Sequence, residues 1–157
     1  MTDIRFLKGD ATSPQAKGNK LIAHVCNDLG KWGKGFVMAL SARWPEPERG
    51  YRGWHRDRAD NDFGLGAVQL VQVEPYIWVA NMVAQHGMRG STRTPPIRYD
   101  AVEECLRKVG EKAVELHASV HMPRIGCGLA GGRWELIEPL VVKTLCQNDV
   151  PVIVYDF

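Results

Sequence analysis

Four glycines fall within the seven positions from Gly126 to Gly132, inside the stretch MPRIGCGLAGGRWE, residues 122–135. Glycine loses more backbone entropy on folding than any other residue, so this density marks a place where bare backbone is needed. Gly126, Gly128 and Gly131 match G-x-G-x-x-G, after an apolar strand-like run and before a helix-like one. Exposed N–H groups at such a junction bind phosphate oxygens. A dinucleotide fold needs more chain than follows. Only 26 residues remain after Gly131, and Pro151 stands where an acidic strand-end residue is required. A dehydrogenase is therefore not expected, but the anion chemistry survives.

A second glycine cluster lies in NDLGKWGKGF, residues 27–36, where Gly30, Gly33 and Gly35 precede a helical run. The spacing from Gly30 to Gly35 is the first half of a triphosphate-binding loop. Phe36 occupies its lysine position, and no Ser or Thr follows to hold Mg²⁺. The segment reads either as a second anion cradle or as a plain glycine-rich turn. A third loop, KGDATSP (8–14), carries Asp10. This carboxylate either caps a turn or accepts from an exocyclic amine such as that of adenine.

Few side chains nearby are equipped for catalysis. His24 reads as a core imidazole or as a general base. Asn27 reads as a loop cap or as a ligand of a water or sugar hydroxyl. Gln85 and His86 follow an apolar run and either reach a cleft or meet solvent. Arg89, Arg93 and Arg98 either solubilise a loop or form a lid that attracts anionic charge. His55, His117 and His121 have no neighbours suggesting catalysis, and Trp32 and Trp54 read as packing groups. Cys26, Cys105, Cys127 and Cys146 are scattered, with no C-x-x-C pair and no His at ligand spacing. No metal and no cofactor is expected, and the cysteines read as free thiols.

The elements that must position these groups follow from patterning. The 157 residues suit one domain over 1–157, with 45% hydrophobic and 24% charged residues. The net charge of +2 comes with no long basic run, so nucleic acid is not an expected partner. Neither is a membrane, because no apolar stretch reaches spanning length. The opening MTDIRFLKGD lacks a signal-peptide core, which sets a cytoplasmic expectation. Alternation predicts strands over 4–8, 20–26, 67–73, 76–82, 119–125 and 150–157. The last reads as buried on both faces, and Glu74-Pro75 marks a hairpin or tight connection. Val71, Val73, Val79 and Ala80 are expected in the core. Helices are expected over 36–44 and 45–57, the latter with Tyr51 and Trp54 inward. A third starts with Asp100 as N-cap and Glu103 at N3, and presents Val102, Cys105, Leu106, Val109, Ala113 and Leu116. A final helix is expected to begin near Pro139, with proline in its first turn. The order β, β, α, α, β, β, α, β, α, β implies a mixed sheet between helices, with ligands at the strand ends.

GDAT after the first strand, HVCNDLGKWGKGF, MPRIGCGLAGGRWE and the ending VIVYDF together resemble the macrodomain family over essentially the whole chain. The chain looks most like the branch containing terminal ADP-ribose protein glycohydrolases. Its H-x-C-N followed by G-x-W-G-x-G is similar to a yeast-type branch that dephosphorylates ADP-ribose 1″-phosphate. The resemblance implies an α/β fold, a three-layer α/β/α macrodomain with a mixed six-stranded sheet and an ADP-ribose cleft. Asp10 would then bind the adenine amine, with the backbone of Ala11 beside it and Tyr155 packing against the base. Gly33, Lys34, Gly35 and Phe36 would wrap the distal ribose and one phosphate. Ile125, Gly126, Cys127, Gly128 and Leu129 would present amides to the diphosphate, and a side chain at Gly126 or Gly128 would hold it away. Asn27 and Gln85 are ligand-binding candidates from their positions just past the strands over 20–26 and 76–82, not from the resemblance.

The glycohydrolase branch uses a lysine after the strand matching YIWVANM and an aspartate just after GCGL. Here those positions fall near Val83 and at Ala130, so a covalent lysine route is not expected. Asn27 and His24 are then the catalytic candidates. The expected function is binding of ADP-ribose and, in the manner of bacterial macrodomains, hydrolysis of ADP-ribosyl esters on glutamate or aspartate. A carboxylate leaving group needs little acid assistance, and oriented amides with a positioned water suffice. The alternatives are an ADP-ribose 1″-phosphate phosphatase and a non-catalytic ADP-ribose reader. The expected partner is ADP-ribose or an ADP-ribosylated protein.

Overall fold

The fold is described from a computed structural model in which residues 1–87 and 94–157 are defined. Of the three lid candidates, Arg89 and Arg93 lie outside the described residues, and the Arg98 guanidinium is bonded to the carbonyls of Pro95, Pro96 and Ile97. The elements run β1 (Ile4–Lys8), β2 (Lys20–Asn27), α1 (Phe36–Arg43), α2 (Glu46–Arg56), β3 (Val68–Glu74), β4 (Ile77–Gln85), α3 (Tyr99–Leu116), β5 (Ser119–Met122), α4 (Trp134–Thr144) and β6 (Val152–Asp156). This is the order that patterning implies. The six strands form one sheet, ordered β1-β6-β5-β2-β4-β3. Every neighbouring pair is parallel except β3 and β4, an antiparallel hairpin turned at Pro75-Tyr76.

Strand alternation divides the core into two layers. On β2, Leu21 and Ala23 face the side covered by α3 and α4, where they meet Val102, Leu106, Ile137 and Val141. Ile22 and Cys26 face the opposite side, with Leu40, Trp44, Tyr51 and Trp54 of α1 and α2. Complete burial of a Leu or Ile such as Leu21 or Ile22 stabilises by about 1.5–3 kcal/mol. β6 is buried from Val152 through Tyr155, as a strand covered on both faces requires. Val79 and Ala80 are fully buried, whereas Val71 and Val73 are only half-buried because β3 is the edge strand.

Two helix starts differ from expectation. α4 begins at Trp134 and contains Pro139 in its interior. The proline forfeits one backbone bond, to the carbonyl of Glu135, and that turn is exposed, so water can take the bond's place. The spacing Trp134, Ile137, Val141 already marked a helical face before the proline. α3 starts at Tyr99, two residues before the helix that an Asp100 N-cap would begin, with Arg98 in the N-cap place. Arg98 offers its carbonyl to Val102 N at 2.9 Å, and its side chain donates to the carbonyl of Pro95 at 2.7 Å. Asp100 instead lies inside the first turn and accepts from Ala101 N.

The parallel strands β1, β2, β5 and β6 all end toward one edge of the sheet. The loops that leave them, 9–19, 28–35 and 123–133, contain the three glycine motifs. The topology thus gathers at one edge what the sequence spreads over more than a hundred positions.

Candidate ligand cleft

The bend after β2 is held by Asn27. Its Oδ1 accepts from Leu29 N at 2.9 Å and Lys31 N at 3.2 Å, and its Nδ2 donates to the Lys31 carbonyl at 2.7 Å. The buried hydroxyl of Tyr51 approaches both the Asn27 carbonyl oxygen, at 2.6 Å, and Oδ1, at 2.8 Å. With the turn so fixed, the N–H groups of Gly33, Lys34, Gly35 and Phe36 have no acceptor among the described residues. Gly35 sits at φ +81° and leads into α1, whose N-terminus has no side-chain cap and no acid in its first turn. The positive end of the helix is therefore open to an anion.

The second bend follows β5. Cys127 N donates to the Arg124 carbonyl at 3.2 Å, Gly131 N to Gly128 O at 3.0 Å and Gly132 N to Gly126 O at 2.7 Å. These bonds leave the amides of Ile125, Gly126, Gly128 and Leu129 without an acceptor among the described residues. Cys127, expected to offer its amide, has it committed to the turn. The two glycines also differ from one another. Gly126 lies at φ +70°, and a Cβ there would come 2.6 Å from Ile97 Cδ1 and 3.2 Å from Ile137 Cδ1. Its bareness serves the core behind the loop, not the space in front of it. At Gly128 an added Cβ meets nothing within 4 Å, so only there is backbone bare on the open side.

The bends face each other across a cavity of about 300 Å³ lined by His24, Lys34, Gly35, Phe36, Gln85 and the Pro123–Ala130 loop. Toward β1 it continues through Gly35, Phe36 and Pro123 into an apolar slot of about 340 Å³, walled by Asp10, Ala11, Tyr155 and Phe157. Toward α2 it continues past Lys34, Val37, Gln85 and Leu129 into a space of about 560 Å³ lined by Asn27, Lys31, Trp32 and Gly33. Shared walls make the three one cleft along the sheet edge. It brings together Asp10, Ala11, Asn27, Gly33, Lys34, Gly35, Phe36, Gln85, Ile125, Gly126, Gly128, Leu129, Tyr155 and His24; Cys127 belongs to the bend without lining these spaces.

The side chains on this wall are mostly already engaged. His24 is buried, with Nε2 at 2.5 Å from Asn81 Oδ1, and its ring packs against Trp32 and Phe36. Burial lowers its pKa to about 4, partly opposed by the bond to Asn81, so the ring is neutral at physiological pH. Its Nδ1 is buried with no partner. Arg124 borders the cleft, but its guanidinium binds Asp156 through two bonds, of 2.6 and 3.0 Å, and lies 5.1 Å from the ring centroids of both Phe6 and Trp134. His86 Nδ1 lies 2.7 Å from Asp28 Oδ2. Burial pushes the thiol pKa of Cys127 up, and the thiols of Cys26 and Cys105 are pushed up for the same reason. Sequence reasoning missed Pro123 and Phe157 as cleft walls, and it missed the tie from Tyr51 to Asn27. The inward helical spacing of Tyr51 was a signal for burial only.

The described residues thus form a three-layer α/β/α domain whose two glycine bends aim free amides into one long cleft. No protein-family model matches the chain. A solved macrodomain protein from Streptomyces coelicolor is 61% identical, with a TM-score of 0.90 and 99% of each chain covered. The chain belongs to the macrodomain family. It is also 34% identical, over 99% of its length, to Chromodomain-helicase-DNA-binding protein 1-like from Mus musculus. The chain spans under a fifth of the length of the first curated relatives it matches, 18% of the mouse protein and 16% of its Danio rerio counterpart. An ADP-ribose 1''-phosphate phosphatase from Lodderomyces elongisporus is 24% identical, over 98% of this chain and 99% of that protein. Among the described residues, no helix is long and apolar enough to cross a membrane.

Proposed function

We propose that the cleft binds ADP-ribose and that the domain hydrolyses ADP-ribosyl esters on glutamate or aspartate side chains. The observation that carries this reading is the pair of bends with unpaired amides on either side of one cavity. A diphosphate placed there receives N–H groups from Gly35 and Phe36 on one side and from Gly126, Gly128 and Leu129 on the other, with Lys34 adding charge. The base enters the apolar slot between Phe36 and Tyr155, with Asp10 at its edge. The distal ribose points toward Asn27, Trp32 and Gln85.

The chemistry assigned here is modest and suits an ester. In this reading bound ligand geometry places a water at the anomeric carbon. The water oxygen bonds to that carbon as its bond to the ester oxygen breaks, the side-chain carboxylate leaves, and the water's proton passes to solvent. The Gly33 and Lys34 amides, which the diphosphate does not use, stabilise the departing charge. His24 takes part as a neutral ring that backs the cleft wall against Trp32 and Phe36, its Nδ1 buried behind that wall. Asn27 acts by holding the amide bend. Cleavage of a stable N-glycoside to arginine is not expected from this set of groups.

Calorimetry with ADP-ribose tests the binding half. Separate incubation with glutamate-modified and serine-modified proteins tests the chemistry, and release of ADP-ribose from the glutamate-modified protein alone is expected. Release from neither, together with phosphate release from ADP-ribose 1″-phosphate, would favour the activity named for the yeast relatives instead. No turnover of any of the three would leave a reader.

A further inference from the structure

We infer that His121, buried in the middle of the sheet, is a positioning residue that holds the Asp10 loop through Tyr155 and so makes the cleft select a base with an exocyclic amine over one with a carbonyl. This rests on the ADP-ribose reading above. His121 lies on β5 with no exposed surface. Its Nδ1 is 2.8 Å from Tyr155 Oη, and its Nε2 is 2.8 Å from Ser119 Oγ. Tyr155 Oη also accepts the N–H of Gln15 at 2.7 Å. The phenol has one proton. The Gln15 amide can only donate, so among the described partners of the phenol only His121 Nδ1 can accept its proton, and Tyr155 donates there. The imidazole then carries its hydrogen on Nε2 and donates it to Ser119. One direction of donation therefore runs from the loop backbone through the phenol and imidazole to Ser119. Burial, with a smaller contribution from Lys20, lowers the His121 pKa to about 4, which keeps the ring neutral for this role.

The relay ends at the loop that carries Asp10. At its near end the loop is tied by Gly9 N to Asp156 O at 2.8 Å. Beyond Asp10 it crosses to Gln15, which the Tyr155 hydroxyl holds. Between these points Asp10 Oδ1 accepts from both the backbone N and the hydroxyl of Thr12, each at 2.8 Å, and Arg43 braces the same hydroxyl at 3.1 Å. Asp10 Oδ1 is thus occupied, and Oδ2 has no hydrogen bond among the described residues. A carboxylate only accepts. Held in place on the slot wall, it favours a ligand N–H and opposes a ligand carbonyl. Tyr155 serves both ends, because its ring walls the slot while its hydroxyl fixes the loop. Buried polar chains of this kind add little net stability over well-packed apolar groups, which leaves positioning as what this one contributes.

The test measures affinity for ADP-ribose and for inosine diphosphate ribose, which replaces the amine with a carbonyl, using the whole chain and its His121→Phe and Tyr155→Phe variants. The native protein is expected to prefer ADP-ribose by about tenfold or more. In both variants ADP-ribose affinity should fall to that of the inosine sugar, whose own affinity stays within about twofold, a pattern that general destabilisation would not produce. Folded variants that keep the full preference would overturn the inference. So would a native protein that binds both sugars equally, and that result would leave the cleft reading standing. A native protein that binds neither would sink the cleft reading itself. If His121→Phe fails to fold, Tyr155→Phe, which removes only a hydroxyl, decides the matter.

Discussion

The imidazole of His24 and the side-chain amide of Asn81 are locked in one orientation. Asn81 Nδ2 donates to the Pro47 carbonyl at 3.2 Å and to Gln69 Oε1 at 3.1 Å, so its oxygen must face His24 Nε2, 2.5 Å away. His24 therefore carries its hydrogen on Nε2 and directs a bare lone pair from Nδ1. Asn81→Leu removes the acceptor and strands a buried N–H, at a cost of about 1–3 kcal/mol in urea unfolding. Nitrogen NMR should find the Nε2–H tautomer in the native protein and a mixture in the variant. A native ring protonated on Nδ1 would contradict this orientation of the pair.

Acid should destabilise the fold through the two buried imidazoles. His24 and His121 have pKa values of about 4, lowered by burial in both cases. The unfolded chain titrates near the ordinary histidine value, so between these limits it binds more protons than the folded chain. Stability is thus highest above about pH 6.5 and declines as pH falls toward about 4. The gap converts to about 3 kcal/mol per imidazole at the bottom of that window. Urea unfolding at about pH 7 and about pH 5 checks the direction, and equal midpoints would contradict it.

Gly126 and Gly128 should respond differently to substitution. At Gly126 a side chain meets Ile97 and Ile137 and must also adopt a positive φ. Gly126→Leu should therefore lose about 2 kcal/mol or more of stability, whatever happens to ligand. Gly128→Glu has open space and should keep native stability within about 0.5 kcal/mol. It brings both bulk and negative charge to the proposed diphosphate position, and ADP-ribose affinity should fall at least about tenfold. Thermal melts and calorimetry on the two variants separate these outcomes.

Asn27 offers a similar separation. If it works by holding the bend, Asn27→Ala loses the bonds to Leu29, Lys31 and Tyr51 together. Stability should then drop by about 1–3 kcal/mol, and ADP-ribose affinity should fall with it. A variant with unchanged stability and affinity but a reduced rate of ester hydrolysis would instead make Asn27 a direct participant in the reaction.

Most of the frame can be read from local pattern. Ile22 and Cys26 alternate with Leu21 and Ala23 as a two-sided strand must, and Tyr51 and Trp54 recur at helical spacing. Pro139 misled because a proline's usual penalty was set above the apolar period that begins at Trp134, while the exposed turn lets the helix absorb the loss. Asp100 misled because the cap site was taken by Arg98, whose carbonyl and side chain are recruited by the loop before it. At the site, the glycine motifs marked the bends, but spacing alone does not say which face of a glycine is crowded. That depended on Ile97 and Ile137, distant in sequence from Gly126 in opposite directions. The His121–Tyr155–Gln15 chain was invisible for the same reason, since it joins β5, β6 and the first loop.

On the proposed function, the two bends hold the diphosphate of ADP-ribose with their unpaired amides. Amide NMR during titration with ADP-ribose tests it most directly. The largest downfield shifts are expected at Gly35, Phe36, Gly126, Gly128 and Leu129, with little change at Cys127, Gly131 and Gly132, whose N–H groups are already bonded. Shifts that instead gather in the charged groove between α3 and α4, around Arg107 and Lys143, would contradict it.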